Sequence, residues 1–208
     1  MTTEEERLSQ IKEWWKEYRW AILGGAVLGI GGLGGWTGWN EYSKTQQEAA
    51  SELYQDLSVA AVEQNYDSAK TAIDGLLADH GDTAYAGQGL LLMARASYDH
   101  GNESEARDYL NRAISESKLP AIVHAARIRL AQLMISQAQY SEALSLLDVS
   151  QMGAFDTHYH ELKGDAYREL GEFAEAHSAY QESLDSLAPG SPYTRVLTLK
   201  LNDTRVDE

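Results

Sequence analysis

The sequence predicts an all-α protein in which a single N-terminal transmembrane helix is followed by an α-solenoid of paired helices. Three observations support this prediction. An uncharged stretch of 21 residues runs from Trp20 to Asn40. The chain has only three prolines and no alternating strand pattern, and Ala, Leu, Glu and Gln are abundant after this stretch. A short motif also recurs at spacings of 37, 37 and 33 residues, which is typical of helical repeats.

The uncharged stretch is long enough to cross a bilayer. As a helix it would span about 30 Å, the thickness of the hydrocarbon layer. Indole side chains prefer the headgroup level of a membrane, so clusters at the two ends predict two interfacial belts. All five tryptophans lie in or beside the stretch, at Trp14, Trp15, Trp20, Trp36 and Trp39. We therefore expect a transmembrane helix over residues 20–40.

Two other interpretations of this stretch fit less well. Residues 29–34 match G-x-G-x-x-G, but no β-branched strand precedes them, as a dinucleotide site requires. A cleaved signal peptide would have a shorter apolar core and small residues at its cleavage site. Bulky residues follow here instead, from Trp36 to Tyr42. The pattern favours a retained signal-anchor.

Basic residues predict the orientation of this anchor. Four precede it, at Arg7, Lys12, Lys16 and Arg19, whereas only Lys44 follows within twenty residues. Because Lys and Arg remain on the cytoplasmic side, residues 1–19 should be cytoplasmic and residues 41–208 should lie across the membrane.

Three glycines of the predicted span share one helical face. Gly25, Gly29 and Gly32 fall at i, i+4 and i+7, and small residues let a second helix approach closely within lipid. They predict a contact with another transmembrane helix. The alternative is a single span that merely tolerates glycine.

The charge of the chain restricts its partners. The formal net charge is −15, and the first 39 residues hold five acids and four bases, so the excess of acids follows them. An acidic surface repels nucleic acid and anionic lipid, and it also keeps a domain soluble. The absence of cysteine excludes a disulfide framework and a zinc–thiolate site.

The repeated motif follows one pattern. Its final alanines are Ala69, Ala106, Ala143 and Ala176, and a small residue precedes each of the last three by twelve positions, at Ala94, Ala131 and Gly164. Small residues at both places would let two helices pack closely, with Tyr109, Leu110, Leu147 and Tyr180 filling the gaps. This is the helix–turn–helix period of a tetratricopeptide-like α-solenoid. An ordinary helical bundle is the alternative.

The same pattern predicts the positions of the helices. Helices before the motif are expected over residues 85–99, 121–137 and 159–170, and helices after it over residues 106–117, 143–149 and 176–187. A long helix is expected from Glu41 to Gln64. Ser191-Pro192 predicts the start of a terminal capping helix, because proline favours the first helical position.

The sequence gives little evidence of catalysis or of a metal site. His158 and His160 are two residues apart, so on a helix their rings point to different faces. There is no G-x-S-x-G motif and no cysteine nucleophile. We therefore expect no enzyme, no cofactor and no metal site.

A tetratricopeptide array binds protein segments on its concave surface, which the first helix of each pair lines. Helical spacing predicts the inward positions, whose mixed chemistry suits adaptable contact with extended chains. Some of these side chains could instead simply face solvent. The candidate residues are Gln88, Arg95, Tyr98, Gln132, Ile135, Glu161, Asp165 and Arg168.

The whole chain resembles the YfgM family, the ancillary subunits of the bacterial SecYEG translocon. The resemblance lies in the acidic start at residues 4–6, the segment 10–15, the end of the span at residues 35–39 and the segment 200–203. It implies a Gram-negative inner-membrane protein with a periplasmic repeat domain. It also implies SecYEG, the membrane-anchored chaperone PpiD and exported polypeptides as partners, and no catalytic residues.

Two classes of function remain open from the sequence. The resemblance implies an ancillary translocon subunit that assists exported chains. The alternative is a membrane-tethered adaptor, in which the array binds one regulator of envelope stress or envelope assembly. The range of crosslinked proteins would distinguish them, since many secretory chains favour the first and one dominant protein favours the second.

Overall fold

The computed structural model describes residues 4–204, and within the first helix it describes the side chains at positions 8, 9, 12–20, 24, 25, 28–30, 32 and 35–62. All the regular elements within residues 4–204 are helices, and none is a strand, which confirms the all-α prediction for these residues. The elements are α1 (Glu4–Val62), α2 (Tyr66–His80), α3 (Ala84–Asp99), α4 (Glu103–Glu116), α5 (Pro120–Ser136), α6 (Tyr140–Leu147), a 3₁₀ turn (Gly153–Phe155), α7 (Asp156–Leu170), α8 (Phe173–Asp185) and α9 (Thr194–Asp203).

The chain divides into two compact units, Met1–Glu48 and Ala49–Glu208. In the first unit the tryptophan side chains are exposed, from 49% at Trp15 to 73% at Trp20. A search of the described residues finds no helix that combines the length and the apolarity of a membrane span. The predicted span over residues 20–40 is therefore not confirmed and stays a prediction, as do the domain boundaries derived from it. Residues 1–3 and 205–208 of the predicted domains lie outside the described residues.

Four turns of the second unit share one backbone geometry. The first residue of each repeated motif has a positive φ, between 56° and 82°, and these residues are Gln64, Gly101, Ala138 and Gly171. The next amide donates to the carbonyl five residues earlier, as Asn102 N does to Ser97 O at 2.8 Å and Glu172 N to Tyr167 O at 2.9 Å. This is the Schellman end of a helix. The repeated motif therefore marks four equivalent turns.

Small residues hold the paired helices close together, as the repeat pattern predicts. The final alanine of every motif is buried, with Ala69, Ala143 and Ala176 at 0% exposure and Ala106 at 1%. A Cβ built on Gly164 would lie 2.5 Å from Cε1 of Tyr180. The tyrosine ring therefore fills the space that glycine leaves between α7 and α8.

The core of this unit is a succession of three apolar clusters. The first joins the end of α1 to α2, α3, α4 and α5, and its centre includes Leu57, Ile73 and Leu90. The second lies between α5, α6 and α7, and the third between α8 and α9. Neighbouring helices thus bury one another in chain order, which is the packing of a solenoid.

Most predicted helix bounds agree with the structure to within three residues at each end. The exception is the long helix expected from Glu41, which is part of α1 and begins at Glu4. The terminal helix α9 begins at Thr194, two residues after Pro192. The Ser191 carbonyl accepts from the Thr194 amide, so Pro192 lies inside a turn rather than at the first helical position.

Candidate protein-binding groove

A groove of about 640 Å³ lies between α3 and α5 and is completed by α1 and α4. Its apolar wall includes Leu91, Leu92, Leu110 and Leu133. Its volume falls in the range of pockets that hold ligands of drug-like size. The polar side chains of its lining are Tyr54, Gln88, Arg95, Tyr98, Arg129, Gln132 and Ser136.

Two arginines face this groove in different ways. The Arg95 side chain is 72% exposed, and its Nε donates to Asp99 Oδ2 at 2.7 Å, one helical turn away. Arg129 Nη1 lies 3.5 Å from the Leu91 carbonyl, to which it donates across from α5 to α3. The pKa of Arg95 is raised, first by its hydrogen bond to Asp99. The Arg95 guanidinium therefore keeps its charge.

Four of the eight predicted inward residues meet in this groove. Gln88, Arg95 and Tyr98 follow one face of α3, and Gln132 lies on the facing part of α5. Tyr98 is 47% exposed. The spacing argument thus places these four side chains together, and their binding role stays a prediction.

Ile135 does not line the groove. It is half-buried and packs against the second apolar cluster, which contains Ile128, Leu147 and Tyr159. The sequence pattern assigned it to the inward face because it follows Gln132 by three residues, but its aliphatic side chain is drawn into the core.

Glu161 and Asp165 on α7 also lie outside the groove. Lys200 of α9 binds both, with Nζ 2.7 Å from Glu161 Oε1 and 2.7 Å from Asp165 Oδ1. The Tyr193 hydroxyl donates to Glu161 at 2.7 Å, and the Tyr180 hydroxyl donates to Asp165 at 2.7 Å. We call these five side chains the α7–α9 network. It ties the C-terminal helix to the last repeat.

The network leaves Glu161 only 7% exposed. Burial, and then the hydrogen bond to Asp165, raises the pKa of Tyr180 above its usual range. Burial, and then the hydrogen bond to Glu161, does the same for Tyr193. Both phenols therefore remain protonated donors to the carboxylates across the physiological pH range.

Arg168 is engaged next to this network. Its Nη2 lies 2.7 Å from Glu169 Oε1, and its Nη1 lies 3.6 Å from Asp203 Oδ2 on α9. The guanidinium is about one-third exposed. Arg168 therefore joins Glu161 and Asp165 in holding α9.

The remaining candidate residues take separate positions. A Cβ built on Gly25, Gly29 or Gly32 would meet no atom within 4 Å beyond the backbone of its own helix. His158 stacks on Tyr193, whereas His160 Nδ1 lies 2.8 Å from Glu182 Oε2. Among the described residues, no group of three His, Asp or Glu side chains is arranged to hold a metal ion.

Comparison with known families identifies this architecture. The model of the tetratricopeptide repeat-like domain matches residues 12–206, which is nearly the whole chain. The chain belongs to the tetratricopeptide repeat-like domain family. The groove is thus formed by the first helices of successive tetratricopeptide-like pairs.

Curated relatives match this tetratricopeptide-like chain over most of its length. A Haemophilus influenzae protein is 28% identical over 88% of this chain and 89% of its own length. A Neisseria gonorrhoeae protein is 25% identical over 97% of both chains, and one from Escherichia coli is 24% identical over 98% of this chain and 97% of its own. All three are named ancillary SecYEG translocon subunit. The resemblance to the YfgM family is confirmed.

Solved structures share the tetratricopeptide-like fold. MamA from Desulfovibrio magneticus superposes with a TM-score of 0.52 at 18% identity, over 74% of this chain and 87% of its own. A double mutant of MamA gives 0.53 at 16% identity, over 74% and 92%. At this identity the likeness concerns the fold alone.

The repeat register explains a groove residue that the spacing argument missed. Arg129 precedes Ala143 by fourteen positions, and the corresponding residues of the neighbouring repeats are Leu92 and Leu162. An arginine between two repeats that both have leucine at this position was a visible signal. Comparing the repeats position by position would have found it.

Proposed function

We propose that this chain is an inner-membrane ancillary subunit of the SecYEG translocon, and that its repeat domain binds partner proteins and exported polypeptides in the groove between α3 and α5. The observation that carries the proposal is the match, over most of the chain, with relatives that share one name, ancillary SecYEG translocon subunit. Their matches cover from 88% to 98% of this chain. A match over most of the length supports a shared association with the translocon.

The anchor of the proposed subunit is the uncharged segment 20–40. Tryptophan brackets it, and the exposed side chains of Trp20, Trp36 and Trp39 are suited to a membrane interface. Four basic residues precede it, which supports a cytoplasmic N-terminus and a periplasmic repeat domain. The open face of Gly25, Gly29 and Gly32 would receive a transmembrane helix of SecYEG or of a PpiD-like chaperone.

The proposed mechanism is binding without catalysis. An apolar wall with amide, phenol and guanidinium groups around it offers contacts to an extended chain. Tethering beside the translocon would raise the effective concentration of the groove to about millimolar for short linkers, so that weak contacts become useful. Exported chains would thereby be held as they emerge. The acidic surface disfavours nucleic acid as a partner.

The test of this function is photocrosslinking in living cells. A photoreactive residue in place of Gln132 lies in the groove, whereas one in place of Gln181 is exposed on α8 outside it. We expect position 132 to capture several secretory polypeptides and position 181 to capture few. One dominant product from position 132 would favour the adaptor, and equal recovery from both positions would reject the groove as the binding site.

The anchor contact has its own test. Gly25→Leu, Gly29→Leu and Gly32→Leu together should reduce co-purification with SecYEG or PpiD, because leucine side chains would hold a second helix away. Replacing the neighbouring exposed Leu28 with isoleucine is the control, since it keeps the glycine face. Unchanged recovery of the triple variant would reject the glycine face as a contact.

A further inference from the structure

The groove differs in charge from the rest of the chain. The formal net charge of the chain is −15. Arg95 and Arg129 nevertheless line the groove, and its lining includes no aspartate or glutamate. A site with two cations inside an acidic domain is complementary to negative charge over a short range, while the surrounding surface repels it.

The two arginines lie on facing helices, α3 and α5, of the same groove. The guanidinium of Arg129 reaches the Leu91 carbonyl, and Leu91 lies one helical turn before Arg95 on α3. The described contacts of Arg129 in this groove include that carbonyl and no carboxylate. Guanidinium groups bind carboxylates through paired N–H donors, which makes them suited to this ligand.

The ion pair with Asp99 does not prevent Arg95 from binding a ligand. Their ion pair is exposed, with 72% and 53% of the two side chains accessible, and it joins residues four apart on one helix. Such exposed pairs within one helix contribute little to stability. A ligand carboxylate that also contacts Arg129 can therefore compete for the Arg95 guanidinium.

The other lining residues indicate which side chains should stand next to the carboxylate in the ligand. Leu91, Leu92 and Leu133 offer an apolar wall, while Gln88 and Gln132 offer amides that both donate and accept. We infer that the groove binds an extended segment of a partner polypeptide in which acidic side chains stand next to apolar ones. The carboxylate would lie against Arg95 and Arg129, and the apolar side chain against the leucines. This inference rests on the proposed function and specifies the class of segment that the groove prefers.

Peptide binding to the purified full-length protein tests this preference. The probes are three fluorescently labelled ten-residue peptides of Gly, Ser, two Leu and two variable residues, which are Glu, Gln or Lys. Fluorescence anisotropy measures the affinity of each. We expect the Glu peptide to bind about tenfold more tightly than the Gln peptide, because charged hydrogen bonds are stronger than neutral ones, and the Lys peptide to bind most weakly.

The variants assign this effect to the two arginines. Arg95→Gln with Arg129→Gln should weaken binding of the Glu peptide about tenfold and leave that of the Gln peptide within about twofold. Arg112→Gln is the matched control, since Arg112 forms the same kind of exposed pair with Glu116 on α4 but does not line the groove. Its affinities should not change. Thermal unfolding checks that every variant is folded.

Two outcomes would overturn the inference. One is equal affinity of the wild type for the Glu and Lys peptides. The other is an equal loss of affinity for the Glu and Gln peptides in the double variant. Either result could accompany crosslinking of secretory chains at position 132, in which case the proposed function stands and only the acidic preference is wrong. Failure of that crosslinking would instead reject the proposed function.

Discussion

Equivalent positions of the repeats have different roles at the two ends of the array. Arg95, Gln132 and Asp165 occupy the same place relative to the final alanine of their motifs. Arg95 and Gln132 are exposed in the groove, whereas Asp165 is held by Lys200 and Tyr180. The position of a residue within its repeat therefore defines the helix face on which it lies. Whether that face is open depends on the helices that follow, which cover it at Asp165.

A second set of equivalent positions shows what this closure requires. Leu91, Ile128 and Glu161 are all buried, at 8%, 7% and 7% exposure. Only the third is charged, and its burial is compensated by Lys200 of α9 and by Tyr193, the residue just before that helix. The open end of the array is thus suited to binding a partner, and the closed end to retaining its own C-terminal helix.

The largest effect is expected from breaking the closed end. Lys200→Met should lower the free energy of unfolding by about 3 kcal/mol, because Glu161 and Asp165 would lose the cation between them. Urea unfolding followed by circular dichroism measures the change.

The control for this prediction places an apolar residue at position 161, as in the repeats at the open end. Glu161→Leu introduces the kind of residue found at Leu91 and Ile128, and it should cost about 1 kcal/mol or less, since it removes a buried charge instead of stranding one. Equal losses from both substitutions would show that the α7–α9 network does not depend on charge pairing.

The next effect concerns how paired helices approach each other. Gly164→Ala should cost about 2 kcal/mol, because the added Cβ would overlap the ring of Tyr180. In a Tyr180→Leu background the same change should cost less than about 0.5 kcal/mol, because the pair then matches Ala131 with Leu147 of the preceding repeat. A double-mutant cycle in urea measures the coupling. Additive losses would contradict the idea that the two side chains share one space.

The turns predict a smaller gain in stability. Ala138 has a φ of 58°, which costs an alanine about 1–2 kcal/mol, and glycine adopts this conformation freely. After the entropy that glycine loses on folding is subtracted, Ala138→Gly should raise the free energy of unfolding by about 0.5 kcal/mol. Gly171→Ala, at the equivalent turn, should lower it by about 1 kcal/mol. Thermal melts compare both, and a loss of stability in Ala138→Gly would contradict the shared geometry.

Much of this architecture could be predicted from the sequence because it depends on local spacing. The motif ending in Ala106 and Ala143 defines the turns, and helical periodicity places Gln88, Arg95, Tyr98 and Gln132 on one face. These features repeat, so each supports the others.

The closed end could not be predicted in this way, because it depends on contacts between distant parts of the chain. Lys200 lies 39 residues after Glu161, and nothing in the spacing of α7 indicates that α9 covers it. Arg129 could not be predicted for a different reason. It occupies a position that is leucine in both neighbouring repeats, so the apolar pattern does not indicate a polar groove residue there.

A last effect of similar size concerns the dependence of stability on pH. Hydrogen bonds from Lys70 and then from Tyr66 lower the pKa of Glu105 below its ordinary value of 4.5. The stability that it contributes is therefore fully present above pH 4.5 and is lost as the pH falls through the lowered pKa. Glu105→Gln should cost about 1 kcal/mol at pH 7, a modest value because Lys70 is half-exposed.

The pH profile of this variant distinguishes the charge from the shape of the side chain. The difference in unfolding free energy between the wild type and Glu105→Gln should shrink as the pH is lowered from 5 to 3, measured by urea unfolding at each pH. A difference that stays constant over this range would show that the carboxylate charge contributes nothing.

The most direct test of the account compares the two ends of the array while export is in progress. Gln88 and His158 are equivalent positions that are both exposed, but only Gln88 lines the groove. Photoreactive residues at each position would report contact with a secretory polypeptide arrested in SecYEG. We expect strong crosslinking from position 88 and weak crosslinking from position 158. Stronger crosslinking from position 158 would contradict this expectation.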